Sequence, residues 1–101
     1  MTELVERIHT MIAAESRDLT QIERTLTDGY AEALSLQAER WRIERRIAEV
    51  TQGIDRGDTA KNARELASLA KRLDGNEGML AALRGVLADL RRHADDVRTD
   101  N

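Results

Sequence analysis

Cysteine, proline and phenylalanine are missing from this 101-residue chain, which holds one tryptophan and one tyrosine. Without cysteine there is neither a disulfide framework nor a thiolate metal site, and cysteine usage says nothing about the redox compartment. Long apolar runs are missing too. The opening "MTELVERIHT" carries charges every few residues, and no segment reaches the length of a signal core or a membrane span. The expectation is a soluble, cytoplasmic protein with no membrane partner. A net charge of −3 provides no electrostatic drive toward a polyanion, so direct nucleic-acid binding is not expected.

What remains is rich in Ala, Leu, Glu and Arg, with 35% charged and 41% hydrophobic residues. That is the composition of long helices or coiled coil, and it is too apolar for intrinsic disorder. Steps of three and four from Val5 to Ile54 meet apolar residues at twelve of fifteen positions, and from Leu66 to Val97 at nine of ten. A heptad repeat sustained over this length predicts amphipathic helices that pack along a seam. The fold class is therefore all-α.

Between the two runs lies "IDRGDTAKNARE", Ile54 to Glu65. Gly53 and Gly57 can end one helix, and Asp58 or Thr59 can cap the next. A short connection between two long helices makes them antiparallel. The chain is expected to form one helical-hairpin domain, with an arm over 3–54, a tip over 55–59 and a return arm over 60–98. Two segments, "TDGY" at 27–30 and "DGNEG" at 74–78, have turn chemistry that could kink the arms at Gly29 and Gly75, or divide them into a four-helix bundle. The heptad phase crosses both without slipping, which favours continuous arms. Folding about positions 56–57 brings Gly29 near Gly85, where two backbones could approach closely.

Apolar residues also lie off the seam. Leu34, Trp41 and Ala48 recur every seven residues, and Met11, Tyr30, Met79 and Val86 add width. A two-helix hairpin cannot cover all of these, so a homodimer forming a four-helix assembly is expected, with Trp41 as its anchor. Arg42 and Arg45, in the basic run "ERWRIERR" with Arg40 and Arg46, flank Trp41 and complete a candidate partner-binding surface. Within the seam, Glu15 and Arg40 can reach outward or pair across an interface, and Asn76 is a residue type that fixes register.

Chemistry is sparse. His9 and His93 are the only imidazoles, neither has a second His one turn away, and the Asp89–His93 spacing offers two metal ligands at most. Neither a nucleophile–base spacing nor a glycine loop after a strand is present. The expectation is a protein that is not an enzyme and uses no cofactor or metal. Glu3 with Arg7, Asp89 with His93, Arg91 with Asp95 and Arg92 with Asp96 stand at i,i+4 and suggest helix-surface pairs.

The tip has its own pattern. Asp55, Asp58 and Ala60 reproduce the D-x-x-D-x-A tip of the DksA-type regulators, and "GDTAKNARE" from Gly57 to Glu65 resembles the tip of the transcript-cleavage Gre factors. Both families send a coiled-coil tip into the secondary channel of RNA polymerase. The resemblance spans roughly residues 47–90. It implies a transcription regulator whose tip, with Asp55, Asp58 and Lys61, engages RNA polymerase, Asp58 matching a carboxylate that touches the metal. Lys61 stands where the Gre pattern has its second acid, the lack of cysteine removes the zinc module of the DksA type, and a hairpin without the C-terminal domain of the Gre factors is expected. A second similarity, over Arg7 to Arg46 through "RIHTMIAAE" and its spacing to "ERWRIERR", is to a small actinobacterial helical family of unknown function. The alternative from the residues alone is a structural, homo-oligomeric coiled coil whose tip is only a turn.

Overall fold

A computed structural model describes residues 2–53 and 58–100. They form three helices, α1 (Thr2–Ala13), α2 (Leu19–Gly53) and α3 (Thr59–Thr99), and no strand is present among them. α2 and α3 make the expected antiparallel hairpin, 64 Å long and 17 by 15 Å across. At about 1.5 Å per residue, the 41 residues of α3 account for nearly the whole length.

The helix boundaries follow local chemistry. Asp58 caps α3, its Oδ1 accepting from the backbone N–H of Ala60 at 3.0 Å and of Lys61 at 3.2 Å. Gly29 lies inside α2 and Gly75 inside α3, and neither helix is interrupted there. The first arm is not one helix over 3–54. It breaks at residues 14–18, where Glu15 takes a left-handed φ of 52°. The Ser16 N–H donates to Met11 O at 3.1 Å and the Glu15 N–H to Ile12 O at 3.0 Å, the two bonds of a Schellman C-cap. Asp18 then caps α2 by accepting from the Gln21 N–H at 3.1 Å.

The chain thus turns back at 14–18, and α1 lies along the open end of the hairpin, mostly against α3. Ile8 and Met11 of α1 join Ile22, Leu26, Leu80, Leu83, Val86, Leu87, Leu90, Ala94 and Val97 in one core. Toward the tip a second core holds only two helices, with Ile43, Val50 and Leu69 buried and Ile47, Leu66 and Leu73 packed on them. Along one edge of α3, Val86 and Met79 give way to Arg72 and Glu65 toward the tip.

α1 also changes the account of surplus apolar surface. Met11 and Val86 are buried inside the single chain and need no second copy to cover them. The close approach at Gly29 is real, with a different neighbour from the one expected. A Cβ there would lie 2.2 Å from Leu87 Cδ2, whereas one on Gly85 would meet nothing within 4 Å.

Candidate functional site

At the tip, Asp55 lies outside the described residues. Asp58 is exposed, and its carboxylate is engaged by the two backbone donors of the α3 cap. Lys61 is exposed in the first turn of α3, its backbone N–H being one of those donors. A capping carboxylate also interacts favourably with the positive end of the helix, so Asp58 has local work that needs no partner.

The basic run around Trp41 separates into two pairs. Arg40 bridges Glu44 on its own helix at 2.8 Å and Glu77 of α3 at 3.1 Å. Arg46 similarly ties Glu49 at 3.3 Å to Glu65 of α3 at 2.7 Å. Hydrogen bonding to Glu65, then to Glu49, holds the Arg46 guanidinium above its ordinary pKa, and hydrogen bonding to Glu23 does the same for Arg98. Arg42 and Arg45 are exposed and enter no ion pair among the described residues. The structure therefore leaves these two available beside Trp41 and occupies the other two in holding the hairpin together.

The two edges of the hairpin differ. One is the α1 edge, where His93 Nε2 sits 2.6 Å from the carbonyl oxygen of Ser16. A carbonyl only accepts, so this nitrogen carries the proton and ties α3 to the 14–18 turn. Asp89 pairs with Arg92 and not with His93. Arg7 likewise reaches Asp28 of α2 and not Glu3. Asp95 pairs with Arg98 instead of Arg91, so two of these charges find partners at i,i+3 within α3 and only Arg7 reaches another helix.

The opposite edge carries three of the four exposed large apolar residues, Met79 being the fourth. Leu34 is 73% and Trp41 62% exposed, and Tyr30 stands beside them on the same side of α2. Across from them α3 contributes Arg98, paired with Glu23 at 2.7 Å, and Arg84, which donates to Gln37 at 3.2 Å. Between these pairs Tyr30, Ala33, Leu87 and Ala88 line a shallow cleft of about 340 Å³ flanked by Arg84 and Arg91. Beyond it the outer side of α3 is nearly bare, because Gly75, Gly78 and Gly85 have open space where a Cβ would be. Those glycines are visible in the sequence at spacings of three and seven.

Among the described residues, no group of three or more His, Cys, Asp or Glu is placed to hold a metal ion, and no helix is long and apolar enough to cross a membrane. Among the described residues the arrangement offers an exposed surface for contact on the edge opposite α1. Comparison with protein families, curated proteins and solved structures finds no match to this chain, so its own geometry carries the functional reading.

Proposed function

We propose that this chain is a non-enzymatic helical interaction module that works by protein–protein contact through the edge bearing Tyr30, Leu34 and Trp41. The observation that supports it is Trp41, an exposed indole on a long helix, with Leu34 two helical turns away on the same face and Arg42 and Arg45 near it in sequence. Large apolar side chains cost solubility when left in water together, and aromatic and Arg residues dominate binding energy at interfaces. Trp41→Glu is the direct test. Because the residue is exposed, the variant should keep its helicity by circular dichroism and lose binding to whatever protein the wild-type chain retains on a column. Unchanged retention would sink the reading.

The finer version is a transcription regulator that engages RNA polymerase through the tip, as the resemblance at Asp55, Asp58, Ala60 and Lys61 implies. It predicts that purified RNA polymerase binds the chain and that Asp55→Ala with Lys61→Ala abolishes this while Trp41→Glu does not. The alternative, a homo-oligomeric structural rod with no function at the tip, draws support from Asp58 being committed to the α3 cap.

A further inference from the structure

Along the edge opposite α1, arginines outnumber the acids that could pair with them. From the open end toward the tip the edge runs from Glu23–Arg98 at 2.7 Å, through Tyr30 beside Arg91, to Gln37–Arg84 at 3.2 Å, and then to Arg40 held between Glu44 and Glu77. The steps fall at 23, 30, 37 and 44 on α2 and at 98, 91, 84 and 77 on α3, one heptad apart on each. At both ends the charges are matched. In the middle α2 offers Tyr30 and Gln37 where a carboxylate would pair, so Arg84 finds only a neutral amide oxygen and Arg91 enters no ion pair among the described residues. The acids nearest to Arg91 on α3 are already taken, Asp89 by Arg92 and Asp95 by Arg98.

These two arginines flank the apolar cleft formed by Tyr30, Ala33, Leu87 and Ala88. The hairpin itself shows what such a groove holds. On the other edge α1, a helix of 12 residues, lays Ile8 and Met11 into the core shared by α2 and α3, and Arg7 ties it to Asp28 of α2 at 3.3 Å. An apolar stripe seated between two helices, with an ion pair at its margin, is the helix-in-groove mode of recognition. The free edge has the apolar floor and a positive margin, and no helix of this chain lies on it.

Resting on the reading above, we infer that the partner for this edge is a short amphipathic helix of another protein, acidic along one margin, whose apolar side chains fill the cleft and whose carboxylates meet Arg84 and Arg91. The two arginines stand seven residues apart, about 10 Å along α3, so carboxylates two turns apart on one face of the incoming helix match them. Guanidinium groups suit that role, because they hold a carboxylate through two parallel hydrogen bonds. Leu34 lies one turn from Tyr30 and is exposed, so a helix over the cleft also takes its side chain out of water. A single small carboxylate would neutralise one arginine and leave the rest of this surface wet.

The test uses the full chain and a labelled synthetic peptide of about 16 residues, long enough to populate a helix, with glutamates at i and i+7 and leucines at i+3 and i+4. Fluorescence anisotropy at low salt should show saturable binding below about 1 mM. Arg84→Glu with Arg91→Glu, both exposed and so expected to leave the circular dichroism unchanged, should weaken it at least about tenfold. A peptide with lysines in place of the glutamates should reverse the preference and bind the double variant more tightly than the wild type. Ala88→Leu, which fills the cleft and keeps both arginines, should abolish saturable binding of the glutamate peptide. No saturation, or equal binding of the glutamate and lysine peptides, overturns the inference. So does tighter binding to vesicles of phosphatidylserine and phosphatidylcholine than to the peptide, lost in the double variant, which would make the anion a lipid surface. None of these results bears on Trp41→Glu and the protein it retains, so the interaction reading keeps its own test.

Discussion

Asn76 reaches across the hairpin from α3 and donates its Nδ2 to the main-chain carbonyl of Leu36 in α2 at 2.9 Å, while its own Oδ1, fully buried, has no partner among the described residues. The residue is 2% exposed and is the one polar residue among the seam positions of α3, the others being Leu, Ala and Val. One bond made and one acceptor stranded is a poor exchange for stability, because a buried unsatisfied polar group costs about 1–3 kcal/mol. It is a good exchange for register, since only one sliding position of α2 offers the Leu36 carbonyl.

Asn76→Leu should therefore be more stable than wild type by about 1–2 kcal/mol in urea, as the stranded acceptor disappears and apolar area is buried. Asn76→Ala should be less stable, because it leaves a void beside Leu36. The cost to specificity should show in hydrogen exchange, with Asn76→Leu broadening the protection pattern of the two-helix half. A variant that is both stabilised and as sharply protected would remove the register role.

Gly29 and Gly85 should respond to alanine with opposite signs. At Gly29 the new Cβ would press on Leu87, which is buried in the main core and has little freedom to swing away. Overpacking of that kind costs about 1–3 kcal/mol and outweighs the helix-propensity gain of about 1 kcal/mol. At Gly85 nothing opposes the gain, so Gly85→Ala should stabilise the monomer by about 1 kcal/mol. Urea denaturation at low protein concentration reads both.

Glu15 is the point at which the first arm turns, and its left-handed backbone is one that a side chain with a Cβ tolerates poorly. Glu15→Gly should stabilise the chain by about 0.5–1 kcal/mol, since the C-cap geometry is retained and the strain removed. Glu15→Val, β-branched at the same φ, should destabilise it by a larger amount. Thermal unfolding, where about 1 kcal/mol corresponds to roughly 4–8 °C for a chain of this size, distinguishes the two.

The same residue shows where the sequence could be read and where it could not. The seam was legible because burial imposes period: Ile22, Leu36, Ile43, Leu69, Leu80 and Leu90 are buried where the heptad places them. Yet the phase also runs from Ile12 through Glu15 to Leu19, and there the chain reverses. Both helices turn an apolar stripe to one shared core, so a stripe can keep its phase through a real turn. The informative signals were the polar exception at Glu15 and the pairing of Asp18 with Gln21, an N-cap pattern. Facing partners were harder to read. Gly29 meets Leu87 and not Gly85, a shift of two residues set by the hairpin register, and such a shift carries a helix surface round by about half a turn. The placement of Tyr30, Arg84 and Arg91 around one cleft is hidden for the same reason.

Asp58 separates a structural tip from a working one. If its role is the α3 cap, an acceptor oxygen is what matters: Asp58→Asn should be nearly neutral, whereas Asp58→Ala should lose about 0.5–2 kcal/mol. If the tip also engages a cation or a basic partner, the negative charge matters, and Asp58→Asn should bind that partner at least tenfold more weakly at unchanged stability. Measured stability and measured binding to RNA polymerase thus give four distinguishable combinations. The capping bonds to Ala60 and Lys61 require loss of stability on Asp58→Ala in every case. Only the response of binding to Asp58→Asn and Asp55→Ala decides whether these carboxylates face a partner, because asparagine keeps the cap and removes the charge.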